Sequence, residues 1–239
     1  MDYAFDRFER QLIKLNIELT NNMKEQFSRY YDLLIEWNKK INLTAITEFE
    51  EVIDKHFLDS VALGHYLQME NPWSVMDLGT GAGFPGIPLK IIFPQLKVLL
   101  ADSLNKRVRF LEEVIAELGL KDIRAVHGRA EELARQSEYR ESYDLCVSRA
   151  VAHLAVLGEY CLPFVKVKGV FVGYKSVGVK EEIVQAEKAF QIMGGRLRRV
   201  EEFQLPETEY GRSFVFVDKV RQTPKKYPRK AGIPSKNPL

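Results

Sequence analysis

The 239-residue sequence predicts an α/β fold with a mainly parallel seven-stranded sheet, a terminal antiparallel hairpin and a helical N-terminal extension. Strand-like and helical apolar patterns alternate five times after residue 71, which is typical of βα units in a parallel sheet. The last two strand-like runs, RLRRVEEFQL and SFVFVDKV, are joined by a short polar segment without a helix, which predicts a hairpin. A glycine-rich segment follows the first predicted strand, where parallel sheets bind their ligands.

Residues 1–70 are predicted to be helical. Their apolar residues recur at the three- and four-residue spacing of one helix face. These residues are Phe5, Phe8, Leu12 and Leu15, followed by Phe27, Tyr30, Tyr31, Leu34 and Trp37. The helical period continues from Glu50 and is broken by Pro72. The next unit, residues 71–220, is predicted to be the ligand-binding domain.

The segment DLGTGAGFPG places four glycines after the strand VMDL. A glycine accepts positive φ angles and lets a ligand approach the backbone. Gly81, Gly83 and Gly86 also fit the G-x-G-x-x-G pattern of dinucleotide enzymes, and Asp102 follows Gly81 by about 20 residues, the spacing of a ribose-binding acid. The spacing alone therefore leaves nicotinamide dinucleotides and S-adenosylmethionine as competing cofactors.

Asp77 favours S-adenosylmethionine. Its carboxylate comes at the end of the strand, just before the glycines, where it would repel a pyrophosphate but attract a cationic sulfonium amino acid. Three later strand ends supply further polar groups. We expect Asp102 to accept both ribose hydroxyls, Ala130 and Glu131 to lie at the adenine end, and Arg149 to face the crevice with an anionic or planar partner.

Composition suggests a globular chain that stays in the cytoplasm and has neither a membrane nor a metal partner. The net charge is +2, no apolar run approaches the roughly 18 residues of a membrane span, and the N-terminus is charged where a signal peptide would be apolar. The two cysteines, Cys146 and Cys161, lie in apolar runs that suit buried thiols better than a disulfide.

Residues 221–239 form a basic, proline-rich tail with six cations and no acidic residue. Such a tail predicts a polyanionic partner. The alternative is that the tail packs back onto the sheet through Ile233 and its prolines, in which case its removal would lower thermal stability first.

The residues also restrict the methyl acceptor without determining it. Methylation of a cytosine carbon needs a cysteine nucleophile, but Cys161 lies within a helix-like run and Cys146 inside a strand. An adenine amine is usually handled by an N-P-P-Y-like turn, where this chain has SRA at 148–150. Guanine N7 has a free lone pair and needs no general base, so it stays attractive.

Six motifs spread over nearly the whole chain resemble one family. They are WNKKINLTAI (37–46), HFLDS (56–60), DLGTGAGFPGIPL (77–89), DS with KR (102–107), SRA (148–150) and YPRKAGIPSKNPL (227–239). The family is small-subunit ribosomal RNA methyltransferase G, also called glucose-inhibited division protein B. The resemblance implies a Rossmann-like class I S-adenosylmethionine-dependent methyltransferase that acts on N7 of a guanine in the decoding region of 16S rRNA, free or in the small subunit. It also links loss of the enzyme to low-level streptomycin resistance.

By position, the resemblance implies that Gly79 and Phe84 line the methionine end of the cofactor, and that Arg149 borders cofactor and guanine as a positioning residue. Together with the arguments from the residues, the resemblance gives a predicted cofactor-binding set of Asp77, Gly79, Gly81, Phe84, Asp102, Ala130, Glu131 and Arg149. The predicted RNA-binding residues are Lys106, Arg107, Lys225, Lys226, Tyr227, Arg229 and Lys230, the cations for phosphates and Tyr227 for a stacked base or sugar.

Several questions stay open at the level of sequence. His56 and Asp59, one helical turn apart, could face the acceptor pocket or be satisfied interior groups. We expect a monomer. A small-molecule methyltransferase, an NAD-dependent dehydrogenase and a noncatalytic RNA-binding protein remain alternatives.

Overall fold

The computed structural model describes residues 3–69, 71–149 and 152–239. Its centre is one seven-stranded sheet. The strands in chain order are β1 (Ser74–Leu78), β2 (Lys97–Asp102), β3 (Ile123–His127), β4 (Tyr143–Ser148), β5 (Val165–Ser176), β6 (Gly195–Gln204) and β7 (Gly211–Lys219). Their spatial order is β3-β2-β1-β4-β5-β7-β6, and β7 runs antiparallel to both of its neighbours. The predicted parallel sheet with a terminal antiparallel hairpin is confirmed.

Helices cover both faces of this sheet. The α-helices are α1 (Asp6–Lys14), α2 (Asn21–Ile41), α3 (Phe49–Val52), α4 (Asp59–Val61), α5 (Leu63–Tyr66), α6 (Gly86–Ile92), α7 (Asn105–Glu117), α8 (Ala130–Leu133), α9 (Leu154–Cys161), α10 (Lys180–Met193) and α11 (Ile233–Lys236). A π-helical turn (Ile53–Leu58) joins α3 to α4, and a 3₁₀ turn (Leu162–Phe164) follows α9. Within the described residues, no helix is both long and apolar enough to cross a membrane.

Two apolar cores form because successive strand side chains point to opposite faces of the sheet. In β1, Val75 packs into the core beneath α6 and α7, whereas Met76 packs into the core beneath α9 and α10. In β4, Leu145 and Cys146 divide between the same two cores. These strands are buried on both faces, as the uninterrupted apolar runs of the sequence indicate.

The N-terminal helices share the first of these cores with the sheet. Phe27, Tyr30 and Phe57 form a buried aromatic group that contacts Phe84 of the glycine-rich loop. The Tyr30 hydroxyl donates a hydrogen bond to the carbonyl of Ala82, in the same loop. The N-terminal helical extension therefore packs directly against the glycine-rich loop. The division of the chain at residues 70 and 220 stays a prediction.

The π-helical turn differs from the regular helix that the apolar spacing suggests. A π turn holds one more residue than an α turn, and this changes the direction of the side chains that follow it. The Ser60 hydroxyl donates to the carbonyl of His56 at 2.5 Å. His56 lies in this turn and Asp59 directly after it.

Candidate functional site

A cleft of about 280 Å³ opens at the carboxyl ends of the first four strands. The residues that line it come from β1 to β4 and the loops after them, from α9 and from the C-terminal tail. They are Leu78, Gly79, Ala101, Asp102, Ser103, Gly128, Arg129, Ala130, Glu131, Ser148, Ala152, Leu157, Tyr160, Gly232 and Ser235. This is the edge where an open parallel sheet binds its ligands.

The glycine-rich loop leaves space beside its backbone. Gly79 has φ +72° and Gly81 has φ +62°, in the left-handed region that side chains rarely adopt. A Cβ atom at either position would meet no other protein atom within 4 Å. Because Gly79 also lines the cleft, a ligand can approach the main chain closely there.

Asp77 lies beneath this loop and not among the cleft-lining residues, which differs from the predicted contact with the cofactor. Its buried Oδ2 accepts hydrogen bonds from the Thr80 hydroxyl at 2.5 Å and the Gly86 amide at 2.8 Å. Oδ1 is buried and has no hydrogen-bond partner among the described residues. Burial raises the pKa of Asp77 to about 7. Asp77 therefore shapes the loop from inside the protein.

Asp102 holds the loop from the cleft side. Its Oδ2 accepts a hydrogen bond from the Gly81 amide at 2.9 Å, and its Oδ1 accepts one from the Leu104 amide at 2.9 Å. Arg107 approaches the same carboxylate at 3.4 Å. Since two carboxylate oxygens offer about four lone-pair sites, these contacts leave room for a ligand hydroxyl. The predicted place of Asp102 at the cofactor cleft fits this geometry.

Glu131 follows β3 and reaches across to the C-terminal tail. Its Oε1 accepts a hydrogen bond from the Gly232 amide at 3.0 Å, and the residue is buried. Ala130 and Glu131 both line the cleft. Of the eight predicted cofactor residues, those that line the cleft are Gly79, Asp102, Ala130 and Glu131. The others, Asp77, Gly81, Phe84 and Arg149, lie beneath or beside it.

A second cluster lies at the end of β4. Arg149 donates from Nη1 to Asp59 Oδ2 at 2.9 Å and to the Lys55 carbonyl at 2.9 Å. Its Nη2 lies 3.1 Å from His56 Nδ1. A guanidinium group only donates, so Nδ1 accepts and His56 is neutral with its proton on Nε2, which can donate to Thr44 Oγ1 at 2.9 Å. Burial and the positive charge of Arg149 lower the pKa of His56 to about 3.

Phe84 of the glycine-rich loop packs against this second cluster. Its ring stacks on the His56 ring at 4.5 Å, and the Arg149 guanidinium lies 5.0 Å from its centroid. Phe84 is buried and not at the cleft surface. It supports Arg149 from below, through packing and cation–π attraction.

Asp59 also binds Arg212, a residue that sequence reasoning missed. Arg212 Nε donates to Asp59 Oδ1 at 2.8 Å. A second cavity, of about 140 Å³, lies at this cluster. It is lined by Asp59, Arg149, Tyr174, Lys175, Ser176, Arg212 and Phe214. Asp59 and Arg212 come from opposite ends of the chain, so no local motif marks their pairing.

Some of the predicted RNA-binding side chains are exposed to solvent, and others already contact protein groups. Those exposed to solvent are Lys106, Lys225, Lys226 and Lys230. Tyr227 is half-buried and packs against the second core. Arg229 forms an ion pair with the buried Glu159, and its Nε and Nη2 donate at 2.7 to 3.0 Å. This pairing argues against the predicted role of Arg229 as a phosphate ligand. Ala150, the last residue of the SRA motif, lies outside the described residues.

Comparison with known proteins identifies relatives over most of the chain. The model of the GidB family, described as rRNA small subunit methyltransferase G, matches residues 23–210. A protein of Lachnoclostridium phytofermentans named ribosomal RNA small subunit methyltransferase G is 55% identical over 232 residues, covering 97% of this chain and 96% of that protein. A protein of the same name from Brevibacillus brevis is 50% identical over 234 residues, covering 98% of both chains.

Solved structures resemble the fold at lower identity. The M. jannaschii protein TYW2, solved in complex with AdoMet, superposes with a TM-score of 0.54 and 16% sequence identity. The match covers 74% of this chain and 80% of that one. The expected class I methyltransferase fold is thereby confirmed.

Proposed function

The chain belongs to the family of ribosomal RNA small subunit methyltransferase G, and from that premise we propose that it methylates N7 of a guanine in the decoding region of 16S rRNA. It is an S-adenosylmethionine-dependent methyltransferase. Its partner is small-subunit rRNA, either free or assembled into the subunit. A protein with that substrate acts in the cytoplasm.

The lining of the cleft suits the chemistry of S-adenosylmethionine. The open space beside Gly79 and Gly81 admits a ligand against the backbone, and Asp102 keeps acceptor capacity for a ribose hydroxyl. Apolar side chains such as Leu78 and Leu157 line the same cleft and suit a purine ring. Bound there, S-adenosylmethionine supplies a methyl group already activated by its sulfonium centre.

The position of Ser148 and Arg149 is the observation that carries the proposal. Ser148 lines the cofactor cleft, whereas Arg149, the next residue, lines the second cavity. The end of β4 therefore contributes one residue to each space. A donor in the cleft and a base held by Arg149 would meet at this strand end, and such positioning is the main contribution that a methyl transfer requires of the protein.

The groups around the second cavity support an acceptor that carries no proton. His56 is neutral, and its Nδ1 lone pair already accepts from Arg149. Both cysteines of the chain are buried, which disfavours a thiolate attack on a pyrimidine carbon. Methylation at N7 of guanine needs neither a general base nor a covalent intermediate. Arg149 and Arg212, both at the cavity wall, can hydrogen-bond acceptor atoms of such a base other than N7, whose lone pair must stay free to accept the methyl group.

The test is a map of N7-methylguanine in rRNA from a strain with the gene and a strain without it. The modified base is detected by chemical cleavage of the RNA at N7-methylguanine. We expect one cleavage site in the decoding region that disappears with the gene and returns with the wild-type copy. The deletion strain should also gain low-level streptomycin resistance. An unchanged cleavage pattern would contradict the proposal.

A further inference from the structure

The C-terminal tail forms part of the cofactor cleft. Gly232 and Ser235 line the cleft together with Glu131 and Tyr160. The Gly232 amide donates to Glu131 Oε1 at 3.0 Å, and the hydroxyls of Ser235 and Tyr160 lie 2.9 Å apart. The tail therefore contributes both backbone and side-chain atoms to the lining of the cleft.

Buried anchors hold the tail in this place. Arg229 donates to Glu159, whose side chain is 1% exposed, from its main-chain amide as well as its guanidinium. Arg140 donates to the carbonyls of Thr223 and Tyr227, and the buried Lys219 donates to the Thr223 hydroxyl at 2.8 Å. Burying charged groups is costly unless each one is paired, so these contacts fix the path of the tail.

The anchors agree only in part with those expected from the sequence. Of the predicted apolar contacts, Ile233 is 40% exposed, whereas the prolines Pro228 and Pro234 are buried. Hydrogen bonds from the tail backbone and the Arg229–Glu159 ion pair add to apolar contacts of the tail, among them Tyr227 against the second core. The exposed lysines of the same segment remain on the outer side, in contact with solvent.

We propose that the docked tail is a wall of the S-adenosylmethionine site, and that Ser235, together with Tyr160, forms the polar edge of this wall against the bound nucleoside. The inference rests on the proposed function for the identity of the ligand. It goes beyond that function because it makes cofactor affinity depend on a segment whose sequence indicates an RNA-binding tail. Arg229 acts as a positioning residue, and Ser235 as a contact residue.

Two matched pairs of substitutions in the full-length chain test this proposal. Arg229→Glu places a second carboxylate against the buried Glu159 and should release the tail, whereas Lys230→Glu makes the same charge change at the next, exposed residue. Ser235→Trp fills the cleft from the tail side, whereas Lys236→Trp puts the same ring on the neighbouring residue, which does not line the cleft. For each variant, the dissociation constant of S-adenosylmethionine is measured by calorimetry, and the melting temperature of the free protein by thermal unfolding.

We expect Arg229→Glu and Ser235→Trp to weaken S-adenosylmethionine binding at least roughly tenfold, the scale of a lost charged or polar contact. Lys230→Glu and Lys236→Trp should bind as the wild type does. Wild-type affinity in both Arg229→Glu and Ser235→Trp would overturn the proposal. If Arg229→Glu does not fold, the pair at 235 and 236 decides alone, since both of those residues are exposed. Failure of the wild-type protein itself to bind S-adenosylmethionine would instead contradict the proposed function.

Discussion

Arg149, at the end of β4, donates a hydrogen bond to Asp59 of the N-terminal helical layer at 2.9 Å. The two side chains are largely buried, with 17% and 7% of their surfaces exposed. The pair therefore connects the helical extension to the strand end that borders both cavities. A buried ion pair of this kind fixes one arrangement of its partners. The extension is thus part of the candidate acceptor site.

Replacement of Arg149 should affect turnover more than RNA binding. We expect Arg149→Ala to lower kcat roughly a hundredfold, because a small displacement of the acceptor has effects of that order. The KM for rRNA should change little, because many cations share the phosphate contacts. Asp59 keeps Arg212 as a partner, so the variant should fold, which thermal unfolding can verify. Retained kcat with a raised KM would show that Arg149 is only a phosphate ligand.

A large side chain at Gly79 should abolish S-adenosylmethionine binding. Gly79→Arg would extend into the open space of the cleft. Gly119→Arg is a matched control, since Gly119 also has a positive φ and open space but lies at the end of α7, away from the cleft. Calorimetry should show no binding for the first variant and wild-type binding for the second. Equal affinities in both folded variants would remove the glycine-rich loop from the cofactor site.

Removal of the Asp102 carboxylate should weaken S-adenosylmethionine binding by roughly 1 to 3 kcal/mol, the value of a hydrogen bond to a charged group. Asp102→Ala loses the ribose contact and also the hydrogen bond to the Gly81 amide. Asp102→Asn keeps one side-chain oxygen and should lose less affinity. An unchanged dissociation constant for Asp102→Ala would place the ribose elsewhere.

The depressed pKa of His56 should make stability depend on pH. In the folded protein its pKa is about 3, against an ordinary value of 6.5. Between these values the unfolded chain binds a proton that the folded chain does not, so stability falls as the pH decreases through this window. The contribution of His56 to the change in unfolding free energy approaches about 1.4 kcal/mol per pH unit.

His56→Gln should reduce this slope, as measured by denaturant unfolding between pH 6.5 and 4.5. Asp77, whose pKa is raised to about 7, contributes with the opposite sign over most of this range. The difference between wild type and variant therefore isolates His56. Identical slopes would mean that folding does not change the pKa of His56.

Charge reversal at the exposed tail lysines should raise the KM for rRNA. Lys225→Glu with Lys226→Glu removes two candidate phosphate contacts and should flatten the logarithmic salt dependence of RNA binding by nearly one unit per contact. S-adenosylmethionine affinity should not change, because neither lysine lines the cleft. A double variant with Lys180→Glu and Lys188→Glu, on exposed positions of α10, is the control. Wild-type KM in the tail variant would place the RNA footprint at Lys106, Arg107 and the N-terminal helices.

Local pattern predicted most of the fold and part of the cleft. The alternation of apolar runs gave the parallel strands and the terminal hairpin, because side-chain periodicity reports directly on strand and helix. Gly79, Asp102, Ala130 and Glu131 line the cleft because each follows a strand end, and parallel strands bring their carboxyl ends to one edge. Their contact with the cofactor stays a prediction. Asp77 also follows a strand end, but its side chain turns inward beneath the loop.

The sequence by itself determined the fold class, the family and the position of the ligand loop, because these depend on short-range spacing and on motifs of adjacent residues. Only the tertiary structure decided the partners of residues far apart in the chain: Asp59 with Arg149 and Arg212, and Glu159 with Arg229. A residue's position at a strand end does not tell which way its side chain points, and the charge pattern of a segment does not tell which of its cations are paired with acids. Long-range packing decides the orientation and the pairing, since a buried charge requires a partner wherever the fold supplies one.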